Sequence, residues 1–173
     1  PNASQRQQLL THFFRAKEFF NNLWGDTYAR VILFGLLIYG FVSLGDRVIL
    51  EPLMELARER GLVVTTHASE PVGHPYPGKG HTTPEVLLRF ILNFPGVPIV
   101  CAHWGGGLPF YALMPEVRAA LGTVFFDSAA SPFLYAPHVF RTVAELVGPD
   151  HVLLGSDFPL VRPRRIMEQA LHQ

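Results

Sequence analysis

A chain of 173 residues, 49% of them apolar, is long enough to enclose one hydrophobic core. Its fourteen basic and fourteen acidic residues cancel, which removes the field that a nucleic acid or an anionic membrane would require and leaves a small molecule as the expected partner. The single cysteine, Cys101, excludes an intrachain disulfide and fits a reducing compartment, the cytoplasm.

The first 45 residues form an atypical segment. Gln5 to Phe20 reads as an amphipathic helix with an aromatic stripe, and residues 31–44 carry no charge. Fourteen uncharged residues fall short of the ~20 that a membrane span needs, so this stretch is expected to be a buried strand or core helix rather than an anchor. From residue 46 a regular alternation begins. Leu50 to Arg60 has helical periodicity and is stopped by Gly61. A strand over 62–67 follows, then a Gly/Pro-rich loop (70–81). Thr83-Pro84-Glu85 opens a helix that Pro95-Gly96 ends. A strand over 97–103 leads into Gly105-Gly106-Gly107, and a helix is expected from Pro109 to Leu121 with Pro115 as a break or restart. A strand over 123–127, a small-residue loop, a helix from Pro137 to Val147, a strand over 152–156 and a last helix complete the chain. Strand and helix alternate four times, which predicts an α/β fold around a parallel sheet, either curled into a barrel or open.

Each of the four apolar runs ends in a polar residue able to do chemistry: His67, His103, Asp127 and Asp157. In parallel sheets such positions gather at the C-terminal ends of the strands, where active sites form. A neutral imidazole and a carboxylate suit zinc and related divalent ions, so His67 and Asp157 are candidate ligands. A structural histidine is the alternative for His67. His103 is a candidate ligand, or a base or acid, because its ordinary pKa lies near working pH. Asp127 either holds the far nitrogen of a histidine or caps the next turn. Glu70, in the loop after His67, is a candidate substrate contact; a plain connector is the other reading. Trp104 suits packing as well as substrate stacking. Arg162 suits a substrate carboxylate or a solvated helix start. Cys101, mid-strand and apolar in surroundings, is expected to be an inert buried thiol.

The segments HASEPVGHPYPGKG, AHWGGGLPFY, FFDSAASP and LLGSDFP resemble the C-terminal half of the amidohydrolase-related metal-dependent hydrolases, in particular the aminocarboxymuconate-semialdehyde decarboxylase-like branch. The resemblance covers residues 47 to 165. It implies a partial (β/α)8 TIM-type barrel made of its last four βα units, so that 46–173 form one half-barrel unit and 1–45 a separate segment. It further implies His67 as the metal ligand of strand five, His103 as the strand-six histidine that serves as base or adjoins the metal, and Asp157 as the strand-eight aspartate that ligates metal or handles the proton. The family's first strand carries a His-x-His pair, and no His-x-His occurs in this sequence. A full barrel needs ~250 residues, so the chain reads as a half-barrel whose open sheet edges invite homo-oligomerisation.

Two functions follow. The first is an amidohydrolase-type hydrolase, or a non-oxidative decarboxylase, that acts on a small molecule with a divalent metal, zinc being the expected ion. The second is a catalytically inactive half-barrel that serves as an assembly or ligand-binding module.

Overall fold

The computed structural model describes residues 47–171. The expected helix over 5–20, the apolar stretch 31–44 and the whole segment 1–45 lie outside the described residues. Helix α1 (Arg47–Glu59) buries Leu50, Leu53, Met54 and Ala57 along one stripe, the spacing that turns a single helical face inward. It stops as the sequence predicts. Gly61 adopts φ +60°, the Leu62 amide donates to the Ala57 carbonyl at 2.8 Å, and the Gly61 amide donates to the Arg58 carbonyl at 3.3 Å. That pair of bonds is the Schellman closure, which requires a left-handed residue and therefore favours glycine.

Strand β1 (Val64–Thr66) leads through the 70–81 loop to helix α2 (Pro84–Asn93), then strand β2 (Ile99–Cys101). A 3₁₀ segment, His103–Leu113, precedes helix α3 (Pro115–Ala120) and strand β3 (Val124–Asp127). Helix α4 (Ser131–Leu134), helix α5 (Val139–Val147), strand β4 (Val152–Leu153) and helix α6 (Pro163–Leu171) follow. The sheet order is β1-β2-β3-β4, all parallel, with Thr66 level with Cys101, Cys101 with Phe126, and Asp127 with Leu153. Four parallel strands in chain order with helical crossovers are the expected α/β fold, and they correspond to part of a barrel rather than a closed one.

Within β1, β2 and β3 alternate residues are buried: Val64 and Thr66, Ile99 and Cys101, Val124 and Phe126. They share one face with the core residues Leu87, Phe90, Trp104 and Val143. The intervening Thr65, Val100, Phe125 and Asp127 are only half-buried. At the borders of the sheet Val63, Leu153 and Leu154 are exposed, and among the described residues β1 and β4 each bond to a strand on one side only.

The strands are shorter than their apolar runs. The ladder ends at Cys101 because the chain turns left-handed at His103 (φ +56°), a conformation that no strand can continue. The expected helix from Pro109 to Leu121 is two elements: 3₁₀ geometry runs to Leu113, and Pro115 restarts a separate α-helix. Among the described residues no helix is long and apolar enough to cross a membrane.

Candidate active site at the strand ends

His67 stands immediately after β1 and His103 two residues beyond the end of β2. Because β1 and β2 are paired neighbours, their C-terminal ends bring the two imidazoles together. The ring centroids lie 4.6 Å apart in an edge-on arrangement with the planes at 68°. Burial, then the adjacent His103, push the His67 imidazole down to about 4, while the Asp157 carboxylate acts in the opposite direction. Near neutral pH the His67 ring is therefore uncharged, the form able to donate a lone pair. The influence of Asp157 on His67 also places residues 67 and 157, 90 positions apart in sequence, in one electrostatic neighbourhood.

His103 is fixed by its backbone and by its ring. Its amide donates to Asp127 Oδ1 at 2.9 Å, and its Nδ1 lies 3.2 Å from the Ala129 carbonyl oxygen. A carbonyl only accepts, so Nδ1 carries the proton and Nε2 the lone pair. Asp127 Oδ1 also accepts the Ala129 amide at 3.0 Å. Of the two readings of Asp127, the turn-capping one describes the contact, and the carboxylate reaches His103 through the main chain rather than the ring. Burial raises the pKa of Asp127, opposed by the Ala129 and His103 amides and by the His103 ring, while Asp157 adds to the rise.

From His103 to Gly107 five successive residues have positive φ, between +54° and +95°. Such a left-handed turn costs His103 and Trp104 roughly 1–2 kcal/mol each. It is held open for close packing: a Cβ on Gly105 would stand 2.9 Å from Phe126, and one on Gly106 would stand 2.6 Å from the Ser69 carbonyl oxygen. Asp157, in the loop after β4, is likewise left-handed at φ +63° and is exposed. Backbone strain of this kind gathers where a side chain is being aimed.

The remaining candidates divide. Glu70 is half-buried, and Tyr76 donates to its Oε2 at 3.2 Å. Burial and then the Glu70 carboxylate push the Tyr135 phenol well above its ordinary range. Glu70 is thus wired to the loop and to the α4–α5 connection. Trp104 is a correction to the expectation of substrate contact: it is fully buried, donates its indole N–H to Ser131 Oγ, and meets Phe140 edge-on at 5.0 Å. The left-handed backbone at residue 104 turns the side chain into the core. Arg162 is exposed just ahead of α6. Burial raises the Cys101 thiol far above its usual pKa, the state of an unreactive thiol.

Ser69, Ser128 and Tyr135 belong to the site although no sequence pattern singles them out. Ser69 Oγ lies 3.1 Å from His67 Nε2 and accepts the Gly80 amide at 3.0 Å. Ser128 Oγ donates to the Gly155 carbonyl at 3.0 Å and accepts its amide at 3.1 Å, which ties the strand β4 exit to that of β3. Ser69 and Ser128 are small hydroxyls three residues and one residue past a strand end, which is the only local signal they carry, and Tyr135 joins the site through Glu70.

The donors His67, His103 and Asp157 are suitable in kind for a divalent ion. Among the described residues, however, no group of three or more His, Cys, Asp or Glu side chains converges as a metal-binding set.

Residues 19–172 match the family model described as Amidohydrolase. This chain belongs to the amidohydrolase family. A curated relative, 6-methylsalicylic acid decarboxylase of Penicillium expansum, is 31% identical over 138 residues, which cover 62% of this chain and 42% of that protein. Among solved structures, 5-carboxyvanillate decarboxylase of Sphingomonas paucimobilis superposes with a TM-score of 0.57 at 17% identity, over 73% of this chain and 47% of that one. A dihydroxybenzoic acid decarboxylase of Polaromonas, solved with bound manganese and the inhibitor 2-nitroresorcinol, gives 0.54 at 14% identity, over 68% and 46%. The chain thus spans less than half the length of these relatives, and the structural likeness is one of fold.

Proposed function

We propose that this chain supplies the C-terminal half of the active site of a metal-dependent amidohydrolase-type enzyme acting on a small molecule, either as a hydrolase or as a non-oxidative decarboxylase. The observation that carries the reading is the meeting of His67 and His103 at 4.6 Å on adjacent strand ends, with Asp157 in the same electrostatic neighbourhood. The decarboxylase activities of the relatives favour carboxylate loss over C–N hydrolysis.

In this proposal His67 and Asp157 are donors to a divalent cation. Zinc is the expected ion from the imidazole and carboxylate donors, with manganese, found in the Polaromonas relative, as the competing one. Because the described residues fall short of three converging donors, further donors must come from outside residues 47–171. A bound cation would polarise the substrate and lower the pKa of water. His103, with Nδ1–H anchored on the Ala129 carbonyl, offers Nε2 as the proton acceptor, and Asp127 fixes the backbone from which it acts. Glu70 and Arg162 would contact substrate, and the buried cysteine is consistent with a cytoplasmic setting. The division between segments 1–45 and 46–173 forms part of the same proposal.

Metal content per chain, measured by elemental mass spectrometry, tests it. About one Zn²⁺ or Mn²⁺ per chain, lost in His67→Ala, supports the reading. A folded wild-type protein that takes up neither ion after saturation and desalting overturns it. A second reading, an inactive half-barrel used for assembly, is favoured by the lack of three converging donors among the described residues and by the exposed Leu153 and Leu154. A metal-free oligomer inert toward amides, esters and aromatic carboxylates would establish that alternative.

A further inference from the structure

Ser69 occupies a junction that the sequence motifs do not explain. It is fully buried. Its Oγ lies 3.1 Å from His67 Nε2 and accepts the Gly80 amide at 3.0 Å; its own amide donates to the Thr82 carbonyl at 3.0 Å. On its other side the carbonyl lies against Gly106, where a Cβ would come within 2.6 Å. The residue therefore joins the His67 ring, both ends of the 70–82 loop and the left-handed turn after β2.

A hydroxyl has one proton to give and two lone pairs to receive. The Gly80 amide takes one lone pair. If the ring also donated from Nε2–H, the hydroxyl proton would need another acceptor, and burying it without one costs about 1–3 kcal/mol. Among the described residues Nε2 is the acceptor that the structure offers this proton. We propose that Ser69 is the positioning residue of His67 in the metal-free chain: its hydroxyl donates to Nε2, which fixes the ring's orientation and holds the ring in its Nδ1–H tautomer. The inference rests on the proposed function only in taking His67 as a candidate ligand: the hydroxyl occupies the lone pair that a cation would take, so binding a cation through Nε2 would displace it. Ser69 itself touches neither a substrate nor a cation in this scheme.

The test uses the full, metal-free chain labelled with ¹⁵N-histidine at neutral pH. Long-range ¹H–¹⁵N spectra are expected to show His67 Nε2 as an unprotonated nitrogen and Nδ1 as a protonated one. Ser69→Ala should move both resonances toward the average of the two tautomers and speed exchange of the Gly80 amide by about tenfold. Ser69→Thr, which keeps the hydroxyl, should restore the wild-type ring shifts. A proton on Nε2 in the wild type, or ring shifts unchanged by Ser69→Ala, overturns the inference, and the wild-type spectrum decides even if neither variant folds. The tautomer is read without metal, so a chain that shows it yet binds no cation retains this inference while the proposed function fails.

Discussion

Substituting Gly106 by alanine isolates the contact that holds the turn after β2 against the loop after β1. The residue has φ +59°, and an added Cβ would stand 2.6 Å from the Ser69 carbonyl oxygen and 2.8 Å from its carbonyl carbon. Left-handed backbone costs a residue with a side chain about 1–2 kcal/mol. Overlap with a main-chain group, which cannot rotate away as a side chain would, adds about 1–3 kcal/mol. Gly106→Ala should therefore lose about 2–5 kcal/mol, a large share of the roughly 5–15 kcal/mol that keeps a domain folded. At about 2–4 °C per kcal/mol for a chain of this size, thermal unfolding followed by circular dichroism should show a Tm lower by about 10 °C. Gly122→Ala is the control, since its backbone is not left-handed and nothing lies within 4 Å of the added atom; its Tm should move by no more than about 2 °C. A Gly106→Ala protein within 2 °C of wild type, or one no worse than Gly122→Ala, would refute the packing argument.

Two further outcomes follow from the same site. The His67 imidazole has its pKa held at about 4 in the folded protein against 6.5 in the open chain, so below pH 6.5 the unfolded state gains a proton that the folded state refuses. Stability present above pH 6.5 should thus drain away as the pH falls toward 4; urea midpoints for metal-free protein should show this loss, and His67→Gln should flatten it, whereas an identical pH profile in the variant would contradict the assignment. Asp127→Ala removes the acceptor of both the His103 and Ala129 amides, which should cost about 2–4 kcal/mol and accelerate hydrogen exchange at those two amides. Unchanged exchange there would show that the carboxylate does not hold the turn.

Much of this arrangement is local in origin and so was readable from the chain. Gly61 closes α1 because a glycine takes the left-handed conformation that the cap requires. The apolar runs before His67 and His103 form neighbouring strands because a helical crossover returns each one to the side of the last. What escaped the sequence reading depends on partners distant along the chain. The left-handed His103 and Trp104 run against the preference of residues with side chains, and only the tertiary hold of Asp127, Ala129 and Ser131 keeps them there. That backbone sends Trp104 into the core, the commoner role for a tryptophan, where aromatic chemistry alone leaves stacking on a substrate open as well. Ser69 is equally invisible in sequence, because a serine acquires meaning only from the ring and amide it meets.

The strictly sequential ladder has a consequence for resilience. Each strand borders the one before and the one after, so no rung depends on the first and last units touching. Deleting the β4 unit would leave every hydrogen bond between β1 and β2 in place, and with them the spacing of the two imidazoles. The histidine pair thus rests on three consecutive units, since Asp127 and Ala129 at the end of β3 hold His103, whereas the contribution of Asp157 requires the whole run of four.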